Sequence, residues 1–256
     1  MRFIALLDFI TDPSFYFVAF FAVVLTGIAK GGLGLAGGLS VPILSLVISP
    51  VQAAAIMLPI LVVMDVSAAW AYRAVWDRNI MKVILPAGIL GVGIGALVFS
   101  LLNDDMIRIV VGLIAVGFVL NSFRKAKPET PKPSTAKGGF WGCVSGLTSF
   151  VAHAGAPPLS VYLLPLRLDP ALHVGTSVIF FLFLNLAKLV PYFALGLFTA
   201  ENLGTSFILI PLGALGAAAG IWLRSRLSPK MFFVASYTVL FIIGVKLLYD
   251  GIGAVV

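Results

Sequence analysis

Four ionisable side chains stand inside long apolar runs: Lys30, Asp65, His153 and Lys188. A charged group at the centre of a bilayer costs about 2.5–3.5 kcal/mol on insertion scales, so such residues are the first candidates for a binding or coupling site. Lys30 and His153 flank two Gly/Pro-broken stretches, one holding Gly37, Gly38 and Ser40, the other Pro157 and Ser160. A helix restarting at such a break aims unpaired N–H groups and the positive end of its dipole at whatever lies before it, an arrangement suited to small oxyanions. Ser40 and Ser160 would add hydroxyl donors, and Lys30 or Lys188 a positive charge. Asn185 lies three residues before Lys188, on the same helical face. The candidate binding set is therefore Lys30, Gly37, Gly38, Ser40, His153, Pro157, Ser160, Asn185 and Lys188. Asp65 and His153 are the candidates for proton or ion coupling, histidine because it titrates near neutral pH. Two other readings stay open: Asp65 and Lys188 as a structural ion pair, and the glycines as sites of close helix packing.

These residues belong to a duplicated plan. Ala36-Gly37-Gly38-Leu39-Ser40-Val41-Pro42 returns about 120 residues later as Ala156-Pro157-Pro158-Leu159-Ser160-Val161-Tyr162. The register holds through Ser49-Pro50 and Asp169-Pro170, Asp65 and Asn185, and Tyr72 and Tyr192. After a slip of about five residues, Pro86, Gly88, Gly91 and Gly95 match Pro211, Gly213, Gly216 and Gly220. Paired interrupted apolar segments in two halves point to a transporter's binding site.

Composition agrees. The 256 residues are 61% apolar and 11% charged, with a mean hydropathy of +1.12; a soluble domain carries about 25% charge. Apolar runs of this length predict membrane-crossing helices, which close all their backbone hydrogen bonds internally. The fold class expected is an all-α polytopic membrane protein made of two inverted-topology repeats. Repeat 1 covers 1–123, with a broken hairpin over 15–48 and spans at 51–72, 82–101 and 105–123. A basic linker follows at 124–138. Repeat 2 covers 139–256, with a hairpin over 139–167 and spans at 171–196, 203–222 and 228–249.

The short pieces on either side of each break favour re-entrant hairpins over full spans. A hairpin plus three spans is an odd number of crossings, so the halves would be inverted. Charge sorting supports that choice. One side then receives 12 of the 17 Lys and Arg, including Arg73, Arg78, Lys82, Arg167 and the linker. The other receives only Arg2, Arg108 and Lys246, with Asp8, Asp12, Asp104, Asp105, Glu201 and Asp250. Both termini are expected outside the cytoplasm and the linker inside.

The net charge of +7 is accounted for by topology and does not call for nucleic acid. One cysteine, Cys143, excludes an internal disulfide and a multi-cysteine metal site. With two histidines and no H-E-x-x-H or Walker-type motif, no enzyme activity, metal or cofactor is expected.

The run Gly27-Ile28-Ala29-Lys30-Gly31-Gly32-Leu33-Gly34-Leu35-Ala36-Gly37-Gly38-Leu39-Ser40-Val41-Pro42 resembles the TauE/SafE family of sulfite and organosulfonate exporters. Length, duplication and the polar mid-chain linker extend the resemblance over nearly the whole chain. It implies a secondary transporter of a small sulfur oxyanion in a bacterial inner membrane, sulfite export being the leading expectation. Export of an organosulfonate such as sulfoacetate, or import of a related anion such as thiosulfate, would share the same architecture. Thiosulfate importers of this kind rely on several cysteines, against which Cys143 stands alone. A passive anion channel and a non-transport membrane subunit are the rivals of another class. The partners expected are the anion and membrane lipid, with a homodimer left open.

Overall fold

In a computed structural model of the chain, the described residues are 9–30, 38–122, 133–223 and 229–255. Gly37, most of the linker, and the topological residues Arg2, Asp8, Arg224 and Arg226 lie outside them. The described residues form ten α-helices and no strand: α1 (Pro13–Ile28), α2 (Ser40–Leu44), α3 (Pro50–Tyr72), α4 (Arg78–Leu101), α5 (Asp104–Ser122), α6 (Thr135–Ala152), α7 (Ala156–Leu163), α8 (Pro170–Ala194), α9 (Ala200–Leu223) and α10 (Pro229–Val255). A 3-10 turn, Leu164–Leu166, extends α7.

Local chemistry sets the helix ends. The repeated Ser49-Pro50 and Asp169-Pro170 pairs are one device used twice. Ser49 Oγ accepts from Gln52 N at 3.1 Å and Asp169 Oδ1 from Ala171 N at 2.9 Å, while proline occupies a first-turn position whose N–H is not needed. Asp77 caps α4 by accepting from Asn79 N and Ile80 N. Among the described residues, five stretches are long and apolar enough to cross a membrane: Pro50–Tyr72, Arg78–Leu101, Pro170–Ala194, Ala200–Gly220 and Tyr237–Val255. α1 and the Ala156–Leu166 segment are apolar but shorter. Large apolar side chains such as Phe17, Leu97, Leu120, Phe193 and Leu215 face outward. Water would reject such a surface and lipid accepts it, so the chain is a multi-pass membrane protein.

Contacts between helices fix their directions. α4 and α6 run parallel: Gly142 lies against Ile84, Gly146 against Gly88 and Gly95 against Phe150. α1 and α9 run parallel through Gly213 against Val23, Gly216 against Val24 and Gly220 against Ile28. α3 is parallel to α9, since Ser206 Oγ donates to Ile56 O at 2.8 Å and Gly213 meets Ile60 and Met64. α8 is parallel to α4 by Asp77 N on Thr176 Oγ1 and Gly88 on Leu184. α1 and α3 therefore point the same way, as do α6 and α8. In each half the short α2 or α7 turns the chain back toward the side from which it came. The corresponding helices α3 and α8 instead cross antiparallel, with Tyr72 beside Gly175 and Asp65 beside Asn185. So do α5 and α10, with Gly251 beside Asp105 and Gly244 beside Val116.

The two breaks touch. Gly38 has φ +104°, a left-handed value that penalises any other residue, and a Cβ there would come within 2.8 Å of Ala154 Cβ. On the other side His153 ends α6 at φ 52°, while Ala154 N returns to Thr148 O. A non-glycine held in that region costs about 1–2 kcal/mol, so surrounding contacts must hold it.

Candidate functional site

A cavity of about 350 Å³ lies between α1, α2, α3, α6 and α8. Its blind end is polar, with Ser40, Asp65, Ser149, His153 and Asn185 buried and Lys30 half-buried. Its walls are apolar, from Leu61 and Ala68 on α3 to Val174, Val178 and Phe181 on α8. Arg167 and Pro170 form an exposed rim, with the half-buried His173 and Ser177 just inside. The α8 positions 170, 174, 177, 181 and 185 follow one helical face down the cavity. Ten residues separate Asn185 from the level where Gly175 meets Tyr72, a depth of about 15 Å at 1.5 Å per residue.

Two hydrogen-bonded groups occupy the blind end. In the first, Lys30 Nζ forms an ion pair with Asp65 Oδ1, and Asn185 Nδ2 donates to Asp65 Oδ2. In the second, Lys188 Nζ donates to Ser149 O at 2.9 Å, Ser149 Oγ at 3.2 Å and His153 Nδ1 at 2.7 Å. His153 Nε2 lies 3.0 Å from Ala54 O. A carbonyl oxygen only accepts, so Nε2 carries the proton and Nδ1 presents its lone pair to Lys188; the partners assign this tautomer. Both ring nitrogens are thereby engaged, which holds His153 in its left-handed conformation.

The location of each group follows from the helix crossings. Asp65 and Asn185 occupy corresponding positions and meet where α3 crosses α8. Lys188, three residues on, is rotated away from Asp65 toward the C-terminal end of α6. The negative end of the α6 dipole, together with a second bond to Ser149 O, which also accepts from His153 N, stabilises a cation there without a carboxylate in contact. The Asp65–Lys188 pair weighed from sequence is thus not formed, and Lys30 is the cation on Asp65. On α3, Ala54 O and Ile56 O accept from His153 and Ser206 in addition to their place in the helix.

Of the binding candidates, Lys30, Gly38, Ser40, His153 and Asn185 line the cavity, as does the coupling candidate Asp65. Lys188 is fully buried behind Ser149 and His153 and does not line it. Pro157 lines a separate, smaller cavity of about 210 Å³ between α5, α6 and α7. Ser160 Oγ donates to Ala156 O within its own helix and is absent from the first cavity. The α7 terminus is also poor in donors, because Pro157 and Pro158 carry no N–H. The positive character of the cavity therefore comes from lysine side chains more than from helix ends. Sequence reasoning missed Ser149, Thr26, Arg167, His173 and Ser177. For Ser149 a signal existed: Ser145, Ser149 and His153 recur every four residues on α6, the mark of one polar helical face.

Beyond the blind end an aromatic layer seals the site. Tyr192 OH donates to Phe150 O at 2.8 Å, and the Tyr192 ring packs on Phe150, Phe198 and His153. Phe99 closes on Phe150 from α4.

The sequence model of the family described as Sulfite exporter TauE/SafE matches residues 19–247. No curated protein and no solved structure matches the chain.

Proposed function

The chain belongs to the TauE/SafE sulfite exporter family, a family of sulfur-anion membrane transporters, and from that premise we propose that it exports a small sulfur oxyanion, sulfite first, by alternating access. The observation that carries this reading is the charge at the blind end of the cavity: two lysines, Lys30 and Lys188, against one carboxylate, Asp65. Lys188 has a carbonyl, a hydroxyl and an imidazole for partners but no carboxylate, so an anion entering beside it would supply the opposite charge that it lacks.

The two halves are read as inverted repeats, 1–123 and 139–256, each a re-entrant hairpin with three spans. The antiparallel crossing of α3 with α8 and of α5 with α10 supports this, since repeats related by an axis along the membrane normal would place those pairs parallel. The rim at Arg167 lies at the same end as Arg73 and Arg78, the side that the positive-inside rule assigns to the cytoplasm. The cavity is then inward-open, and the Phe99, Phe150, Tyr192 and Phe198 layer closes the outer side. An inside-negative potential drives anion exit by about 2.3 kcal/mol per charge per 100 mV, so export needs no ATP. Asp65 is paired with Lys30 as an internal anion. A substrate oxyanion takes its place, with Ser40 as a further donor and His153 the group through which a proton would be coupled.

The test is binding and flux with purified protein. Sulfite, sulfate, thiosulfate, sulfoacetate and small carboxylates are compared by thermal shift, and sulfite flux is followed in vesicles containing this protein alone. Lys30→Ala and Lys188→Ala should each weaken sulfite binding. Unchanged affinity in both variants would sink the site assignment, and absence of flux would remove the transport reading.

A further inference from the structure

We propose that Ser149 is the hydroxyl donor that touches the transported anion, and that Lys188 acts on the anion only through it, as a positioning residue. The proposal rests on the anion-transport reading above and deepens it.

An ammonium has three protons. Lys188 directs them at three acceptors, Ser149 O, Ser149 Oγ and His153 Nδ1. None is left for a ligand, and the lysine does not reach the cavity wall. Ser149 does reach it, and its oxygen receives the Lys188 bond on one lone pair.

The proton of Ser149 is what distinguishes it. The other helical hydroxyls on the α1 and α8 walls of the cavity spend theirs on the carbonyl four residues back: Thr26 on Ala22 and Ser177 on His173. Ser149 makes no such bond; its hydroxyl accepts from Lys188, and among the described residues no protein acceptor takes its proton. A hydroxyl that accepts from a cation is polarised into a stronger donor. Ser40 Oγ, also on the cavity, is buried and without a hydrogen-bond partner among the described residues, a second lining hydroxyl whose proton is uncommitted there. Two such donors facing one buried, cation-backed pocket suit an oxyanion with several acceptor oxygens. Lys188 thus supplies charge through a hydroxyl, which avoids a tight direct ion pair that would slow release.

Sulfite binding to detergent-purified protein, measured by calorimetry at fixed pH, tests this. Ser149→Ala should weaken binding about ten- to hundredfold, the loss of one charge-assisted hydrogen bond. Ser149→Thr, which keeps the hydroxyl, should stay within a few-fold of the parent. Lys188→Gln should weaken binding in the parent and add nothing in the Ser149→Ala background. Equal affinity of Ser149→Ala and parent overturns the contact. A full further loss from Lys188→Gln in that background overturns the relay. The Ser149 pair of variants decides the contact even if Lys188→Gln does not fold. A parent that binds none of the sulfur oxyanions overturns the transport reading, and this assignment with it.

Discussion

Replacing Asp65 by Asn should tighten anion binding, opposite to the usual result of altering a binding site. Asp65 spends one carboxylate oxygen on Lys30 and the other on Asn185. Both line the cavity, but the side chain of Asp65 is 4% exposed and that of Lys30 is 20% exposed, so the lysine is the more open of the two to an entering ligand. An entering anion must share Lys30 with a carboxylate already seated. Asn keeps the shape and removes the competing charge. A hydrogen bond to a charged group contributes about 1.5–3 kcal/mol, so releasing Lys30 to the ligand should lower the Kd about ten- to hundredfold. Stability should fall much less than the 3–5 kcal/mol of a sealed broken pair, because water in the cavity can reach Lys30. Turnover should slow, since release would leave Lys30 without a partner. Calorimetry with sulfite at fixed pH gives the Kd, and vesicle flux gives the rate. A Kd that is unchanged or weaker in Asp65→Asn, with the protein still folded, would refute the role of Asp65 as internal competitor.

Two further outcomes follow from the packing and the cavity mouth. Gly146→Ala would drive a Cβ into the carbonyl of Gly88, and a backbone neighbour cannot rotate away. Overpacking of this kind costs about 1–3 kcal/mol, so thermal unfolding in detergent should occur at lower temperature. Gly93→Ala, with nothing within 4 Å of the added Cβ, is the control and should leave the transition unmoved; equal transitions for the two variants would contradict the α4–α6 approach. Ser177→Cys in a Cys143→Ala background should react with a thiol reagent applied from the cytoplasmic face, and sulfite should slow it. Labelling from the outer face alone would place the mouth on the wrong side.

Much of the architecture is written locally. Apolar run length predicts the spans, and Ser49-Pro50 and Asp169-Pro170 mark helix starts because a cap and a proline act within one turn. Gly38 and the 153–158 stretch mark breaks for the same short-range reason, so Lys30, Ser40, Asp65, His153 and Asn185 could be named before any helix was placed. Partnerships were not legible. Asp65 faces Lys30 and not Lys188 because α3 crosses α8 at Asn185, and three further residues turn a side chain by about 300°. Pro157 and Ser160 share a break with His153 yet face a second cavity and their own helix. The four-residue spacing of Ser145, Ser149 and His153 marked a polar face on α6, but the bond from Lys188 to Ser149 depends on where α8 meets the end of α6. Sequence determines where helices begin, break and end, because those choices are settled by neighbours along the chain. Which polar groups meet depends on crossing points and helix rotation, which the packing of small residues against distant backbone decides.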